Sequence, residues 1–410
     1  MTSLFKPAGA WPPRTEAALD SAAKNRDLVE THVLDVKREL PPKSDPANKE
    51  LARDLASLAI DGGLLIIGVD EAQNYALTPV PLDGLAERVE QVAGSRIDEP
   101  LPLTFIEIES PANPAEGYLL VRVPASPRAP HMVDNRYWGR GDKTKHMLSD
   151  AEVERLIARR AGWAVNAEEA LTGWMAQDPI EPEKRTNGHL FVVASPVPPR
   201  ERMLLEAITR TGDFTAVFRD LVTRTKHNGQ SFVPDMPSYL NNFSTTADGW
   251  AWKSYAVFGD SEEGQRADRE SRALMVEICE DGRLRLFCGR AAEQLGPGYG
   301  AGFYLFDAIC LGLNARMVSL ASGVSQAAGY LGSWDFGVGV TGIMGAKSYS
   351  RFESNHFAGP SYTADKYTLT SRASLAEIET GSGPVIERLF GRLIRAIGAD
   401  HIEANKTHFG

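Results

Sequence analysis

The sequence predicts an α/β (α+β) protein: a mixed-sheet domain followed by a second α/β domain. Three observations carry this expectation. Residues 63–69 (GLLIIGV) are apolar throughout, as in a strand covered on both faces. Stretches with leucines at helical spacing alternate with such short apolar runs along the chain. A length of 410 residues suits roughly two to three domains.

The elements follow in order. Residues 15–29 read as a helix and 33–37 as a strand. In PPKSDPANKE, Asp45 is a natural helix cap and Pro46 suits the first helical position. Leu51, Leu55, Leu58 and Ala59 then keep helical spacing until Gly62 and Gly63 stop the helix. The buried strand that follows ends at Asp70. Residues 82–94 give a second helix, and 103–110 and 117–124 give strands. HMVDNRYWGRG predicts a hairpin around Asp134 and Asn135. Ser149 and Glu152 form a capping box at the start of a helix over 149–160.

Residues 168–189 read as a short helix and a linker. Beyond them come a strand at 189–197, a helix at 200–210, a strand at 249–259 and a hairpin over 272–290 with a DG turn. Residues 303–330 predict one long apolar helix or a helix pair, 333–345 a Gly-rich strand, 367–378 another strand, and 384–397 a final amphipathic helix. The expected organisation is an N-terminal extension over 1–19, a first domain over 20–162, a helix and linker over 163–188, and a C-terminal domain over 189–410. That last domain is expected to sense a trigger, to dimerise or to wall a cleft.

Composition narrows the function classes. The 43% apolar and 24% charged residues are those of an ordinary soluble protein, and no apolar run approaches the roughly 20 residues of a bilayer span. No membrane partner is therefore expected. The first residues, MTSLFKPAGAWPPRTEAAL, lack a long apolar core and hold Pro12 and Pro13, which argues against a secretory signal. Cys279, Cys288 and Cys310 are too few and too irregular for a disulfide framework or a zinc site, so a cytoplasmic protein with reduced thiols is expected. Cys310, in an apolar helix, reads as core. The net charge of -10 argues against a broad nucleic-acid surface but leaves room for a local basic cluster.

Two stretches carry candidate chemistry. In ETHVLDVKREL, strand alternation puts Asp35 and Lys37 on one face. Glu30 lies an odd number of residues earlier, so it joins Asp35 only from a position before the strand. Two readings stand: a metal-and-phosphate site, or a solvated strand face with a local salt bridge. In RYWGRGDKTKH, Arg136, Arg140, Lys143, Lys145 and His146 interleave with Tyr137 and Trp138. The cations suit phosphates, and the aromatics either stack bases or anchor the loop. Lys43 and Lys49 flank the first helix after the acidic strand. GRGDKT lacks the adjacent Gly-Lys-Ser/Thr of a P-loop, so no nucleotide cofactor is evident.

Together these pieces resemble the Schlafen family, specifically its AlbA-like nucleic-acid-binding core domain. The resemblance rests on Glu30 with Asp35-Val36-Lys37, on LASLAIDGGLLIIGVDE, and on YWGRGDKTKHMLSDAEVERL, in that order and at the family's spacing. It spans about residues 20–160. Asp35 stands where the family usually has Glu, and Leu58-Ala59-Ile60 where it often has Ala-Asn-Thr.

The resemblance implies a metal-dependent endoribonuclease that cuts structured RNA, tRNA first of all. Prokaryotic relatives are linked to regulation or defence against phage. Carried over residue by residue, Glu30, Asp35 and Asp70 would be catalytic and hold Mg²⁺ or Mn²⁺, with Lys37 supporting the transition state. Lys43, Lys49, Arg136, Arg140, Lys143 and Lys145 would contact the nucleic acid. The alternative is a non-catalytic DNA-binding transcriptional regulator with a C-terminal sensor domain. Family members often pair two core lobes, so a chain with one lobe is expected to form a homodimer.

Overall fold

The apolar run at 63–67 forms a strand, and it organises the first half of the chain. The computed structural model describes residues 12–141, 144–162, 167–200, 202–204, 208, 214–225, 236, 240, 242–254, 270–296, 300–355, 357 and 359–400. The fold is mixed α/β, with parallel and antiparallel pairings in its sheets. The chain divides into two compact units, residues 1–164 with 329–333, and residues 165–328 with 334–410.

In the first unit, α1 (Glu16–Lys24) precedes β1 (Leu34–Lys37), α2 (Asp45–Leu58) and β2 (Gly63–Ile67). Short strands β3 (Val69–Asp70), β4 (Ala76–Leu77) and β5 (Val80–Pro81) lead to α3 (Leu85–Arg96). The long strands β6 (Thr104–Ser110) and β7 (Asn113–Val123) follow. Then come β8 (Met132–Val133), β9 (Arg136–Arg140), β10 (Lys145–Met147) and α4 (Asp150–Gly162).

β1 pairs parallel to β2, and β2 pairs antiparallel to β7. β6 pairs with the same β7 residues as β2 does, and so lies on the opposite edge of β7. Strand alternation splits the core in two. Leu65, Ile67, Leu119, Val121 and Val123 pack with Leu51, Leu55 and Leu58 of α2 and Val89 and Val92 of α3. Leu64, Ile66 and Leu120 pack on the other face with Leu19 and Ala22 of α1, Leu28, Leu34 and Val36.

Some local boundaries differ from those expected, and other local features form as expected. α1 stops at Lys24, with Thr15 capping its start. Ser44, rather than Asp45, caps α2: its side chain accepts from the Ala47 amide, and Asp45 is the first helical residue. The hairpin turns at Asp134 and Asn135, both at positive φ, as their side-chain types allow. The Ser149–Glu152 capping box forms, with the Ser149 amide donating to Glu152 at 2.8 Å.

The second unit is built on a nine-stranded sheet. Its elements are α5 (Ala167–Ala176), β11 (Gly188–Val197), α6 (Phe214–Thr223), β12 (Asn242–Thr245), β13 (Gly249–Lys253), β14 (Leu274–Cys279) and β15 (Leu284–Leu295). They continue through β16 (Gly302–Leu305), α7 (Asp307–Ala328), β17 (Ser333–Thr341), β18 (Lys347–Ser348), α8 (Tyr349–Asn355), β19 (Lys366–Ala373), α9 (Leu375–Thr380) and α10 (Gly383–Ala396). The main path runs β12-β13-β14-β15-β11-β17-β19, with β16 on β15 and β18 on β16.

α5 lies in the stretch expected to be a helix and linker, yet Leu171 and Trp174 are buried with Phe191 and Phe287. Two further expectations are corrected. The run 303–330 begins as strand β16 before α7 starts, and the run 367–378 ends in α9. The expected helix at 200–210 lies mostly outside the described residues. α7 has the length and apolar character of a bilayer span, contrary to the sequence reading, but most of it is buried inside the unit.

Candidate nucleic-acid interface

Register decides what the acidic stretch can do. Asp35 aligns with Leu65 and Lys37 with Ile67, so both point to the face covered by α2. On α2, Asp54 sits between Leu51 and Leu58 on the helix's inward side and is buried. The Lys37 ammonium stands 2.9 Å from Asp35 and 3.0 Å from Asp54. Two cations from the hairpin complete the cluster. Arg140 on β9 donates to Asp35 Oδ1 at 2.6 Å and lies 3.7 Å from Asp54. Lys145 on β10 reaches Asp54 at 2.5 Å and also pairs with Glu50.

Glu30 joins from outside the strand. Thr31 and Leu34 bridge in a tight turn. This brings the Glu30 carboxylate to accept from the Val36 amide at 3.1 Å, with Arg140 at 3.8 Å. Arg140 Nε also donates to the Thr31 carbonyl. The β9–β10 hairpin is thereby tied to β1 and α2 by charge. Apolar contact adds to it: Trp138 packs against the α2-side core, and the Arg53 guanidinium stacks 4.5 Å from its ring centre.

The titrations follow from this packing. Burial pushes the Asp35 carboxyl up, but Lys37 and Arg140 together outweigh burial and hold it below its ordinary value. Burial likewise disfavours the Lys37 ammonium, yet Asp54 and Asp35 raise it. Glu30 is raised, chiefly by burial, with Asp35 and Glu71 adding like-charge repulsion against the Val36 hydrogen bond. Of the Glu30–Asp35 pair, Glu30 takes the first proton.

Asp70 goes elsewhere. Gly68 adopts φ +105°, and a Cβ there would sit 2.8 Å from Tyr118. This kink ends β2 and sends Val69 into the α1-side core. Asp70 then caps the turn at 71–73, accepting from the Ala72 amide at 3.0 Å, with Arg38 at 3.9 Å.

These positions do not fit the three-acid metal site. One Asp35 oxygen is held by Arg140 and the other faces Lys37, Glu30 accepts from a backbone amide, and Asp70 is committed to its own turn. Among the described residues no three acidic, histidine or cysteine side chains are grouped to hold a metal ion. A divalent cation needs several free oxygen ligands, and here cations already occupy them.

The expected phosphate contacts divide into two groups. Arg140 and Lys145 are committed to buried acids. Lys49 pairs with Asp45 and Asp134 on the surface. Lys43 is exposed, and Arg136 is exposed with its guanidinium on Met147 Sδ. Lys143 lies outside the described residues. The sequence reading missed Asp54 and Glu50. An acid at core spacing, among leucines 51, 55 and 58, is the signal that could have found Asp54. No protein-family model and no curated protein matches this sequence.

Proposed function

We propose that the first unit is a nucleic-acid-binding module whose acids around β1 hold cations rather than a metal. The pairing of Asp35 and Asp54 with Lys37, Arg140 and Lys145 carries the reading. Bare carboxylates would repel a phosphate backbone, and these are neutralised. Lys43 and Arg136 remain exposed to contact phosphates. The resemblance to Schlafen core domains supports the same partner class. Structured RNA, tRNA first, is the proposed ligand, and DNA is the alternative.

Fluorescence anisotropy with labelled tRNA and duplex DNA tests the reading. Affinity should fall steeply with salt and be unchanged by EDTA. Lys43→Ala and Arg136→Ala should each reduce the salt slope by about 1. Absence of binding to either nucleic acid at low salt would overturn it.

One observation favours a second reading, an endoribonuclease acting at the same face. Glu30 has a raised carboxyl pKa and stands near Arg140. As a carboxylate it could take the proton of a ribose 2′-hydroxyl. The 2′-oxygen would then attack the adjacent phosphorus and the P–O5′ bond would break. A 2′,3′-cyclic phosphate would remain, with the 5′-oxygen protonated from solvent. This chemistry needs RNA and no metal. Cleavage of tRNA in EDTA, lost in Glu30→Gln, would support it. Cleavage that depends on Mn²⁺ or Mg²⁺ would restore the metal-dependent form. A cytoplasmic location, a role in phage defence and a homodimer belong to the same proposal; light scattering on a sizing column tests the last.

A further inference from the structure

His189, at the start of β11, is wholly buried, and both its ring nitrogens face carboxylates. Nδ1 lies 2.7 Å from Asp178, and Nε2 lies 2.7 Å from Glu270. A neutral imidazole has one N–H. It would turn a lone pair toward one of these oxygens unless that oxygen carried the proton.

The other contacts show where the proton belongs. Glu270 accepts from the Thr186 amide, the Thr186 hydroxyl and the Asn187 amide. Asp178 accepts from the Ile180 amide at 2.9 Å and pairs with Arg185 at 3.2 Å. Each carboxylate already takes donors at its other positions, as an anion does. Among the described residues, the rings of Phe191 and Phe287 stand edge-on to the imidazole and tilted to each other. Ser271 donates to Glu293, which also accepts from Arg290.

We propose that His189 is a permanent imidazolium at ordinary pH and acts as a proton-dependent clasp. It joins β11 to Asp178, after α5, and to Glu270, before β14. With the proton, the set Asp178, Glu270, His189 and Arg185 is charge-balanced. Without it, a net negative charge is buried among phenylalanines, which is costly. The raised His189 pKa agrees: burial lowers it, but the bonds to Asp178 and Glu270 outweigh burial.

The raised pKa sets the pH window. The clasp contributes fully below the unfolded histidine value of about 6.5 and is lost as pH rises through the higher folded value. The second unit should therefore loosen in alkali by releasing this proton.

Two measurements on the full chain test this. In ¹⁵N–¹H spectra near neutral pH, His189, assigned by its absence in His189→Gln, should show both ring nitrogens protonated. In thermal unfolding, wild type should lose about 3–5 °C for each pH unit between about pH 6.5 and the folded pKa, relative to His189→Gln, and nothing further above it. Asp178→Asn, which keeps the shape and removes a charge, should move the loss to lower pH if His189→Gln fails to fold. A bare ring nitrogen at neutral pH, or a melting difference independent of pH, would overturn the proposal.

Discussion

Asp54, absent from the residues singled out in the sequence, is where three cations of the first unit meet. It is buried, and Lys37, Arg140 and Lys145 all converge on it. Asp54→Ala should cost about 3–5 kcal/mol, because it leaves buried cations without their partner. Urea denaturation measures this, and an unchanged midpoint would mean that the cluster is hydrated. Asp35 adds a pH signature. Its folded pKa is lowered, so its stabilisation is present above about pH 3.9 and lost as pH falls through the folded value. Acid unfolding of wild type should therefore steepen relative to Asp35→Asn, and parallel curves would count against the ion pairs. Glu30 works in the opposite sense, since its raised pKa favours the fold as it gains a proton. At this scale the sequence was partly legible. Period-two alternation put Asp35 and Lys37 together, and parity placed Glu30 before the strand. The acid among the leucines of α2 marks Asp54 as inward-facing, but helical spacing alone does not show that it lies over Asp35 and Lys37.

Elements were more legible than their ends. The leucine spacing of α2 and the apolar run of β2 announce themselves, since burial selects these side chains directly. Misjudgements fell where one apolar run serves two conformations. Phe303, Tyr304 and Leu305 pair with β15 as a strand, and Asp307 then starts α7 by accepting from Ser350 and Ser348. No local periodicity marks that handover. Gly68 is the second such point: its backbone conformation separates β2 from β3 and turns Asp70 away from Asp35. Gly68→Ala should destabilise by about 1–3 kcal/mol through backbone strain alone, with the contact on Tyr118 adding to it. A smaller effect is expected at the helix cap, where Ser44→Ala should cost about 1 kcal/mol. Chemical denaturation of both variants would rank them; equal effects would contradict the strain assigned to Gly68.

Across the whole molecule, composition bounded the answer without locating it. The net charge of -10 is compatible with nucleic-acid binding only if cations are gathered locally. They are gathered, but many are spent on neighbouring acids. All three cysteines are buried, and burial pushes Cys279 up to about 12 and Cys288 to about 11. Native protein should therefore show no thiol reactive with a disulfide reagent near neutral pH, and three on denaturation. Rapid labelling of the native chain would show that the second unit opens.

The cluster around Asp54 also has a genetic consequence. Lys37, Arg140 and Lys145 share Asp54, and Lys37 and Arg140 also share Asp35, so the effect of losing one depends on which others are present. Replacing a single member strands opposite charges in the core, whereas replacing acid and base together with apolar groups need not. Substitutions here should behave as a strongly epistatic set, open to change by paired steps and closed to most single ones.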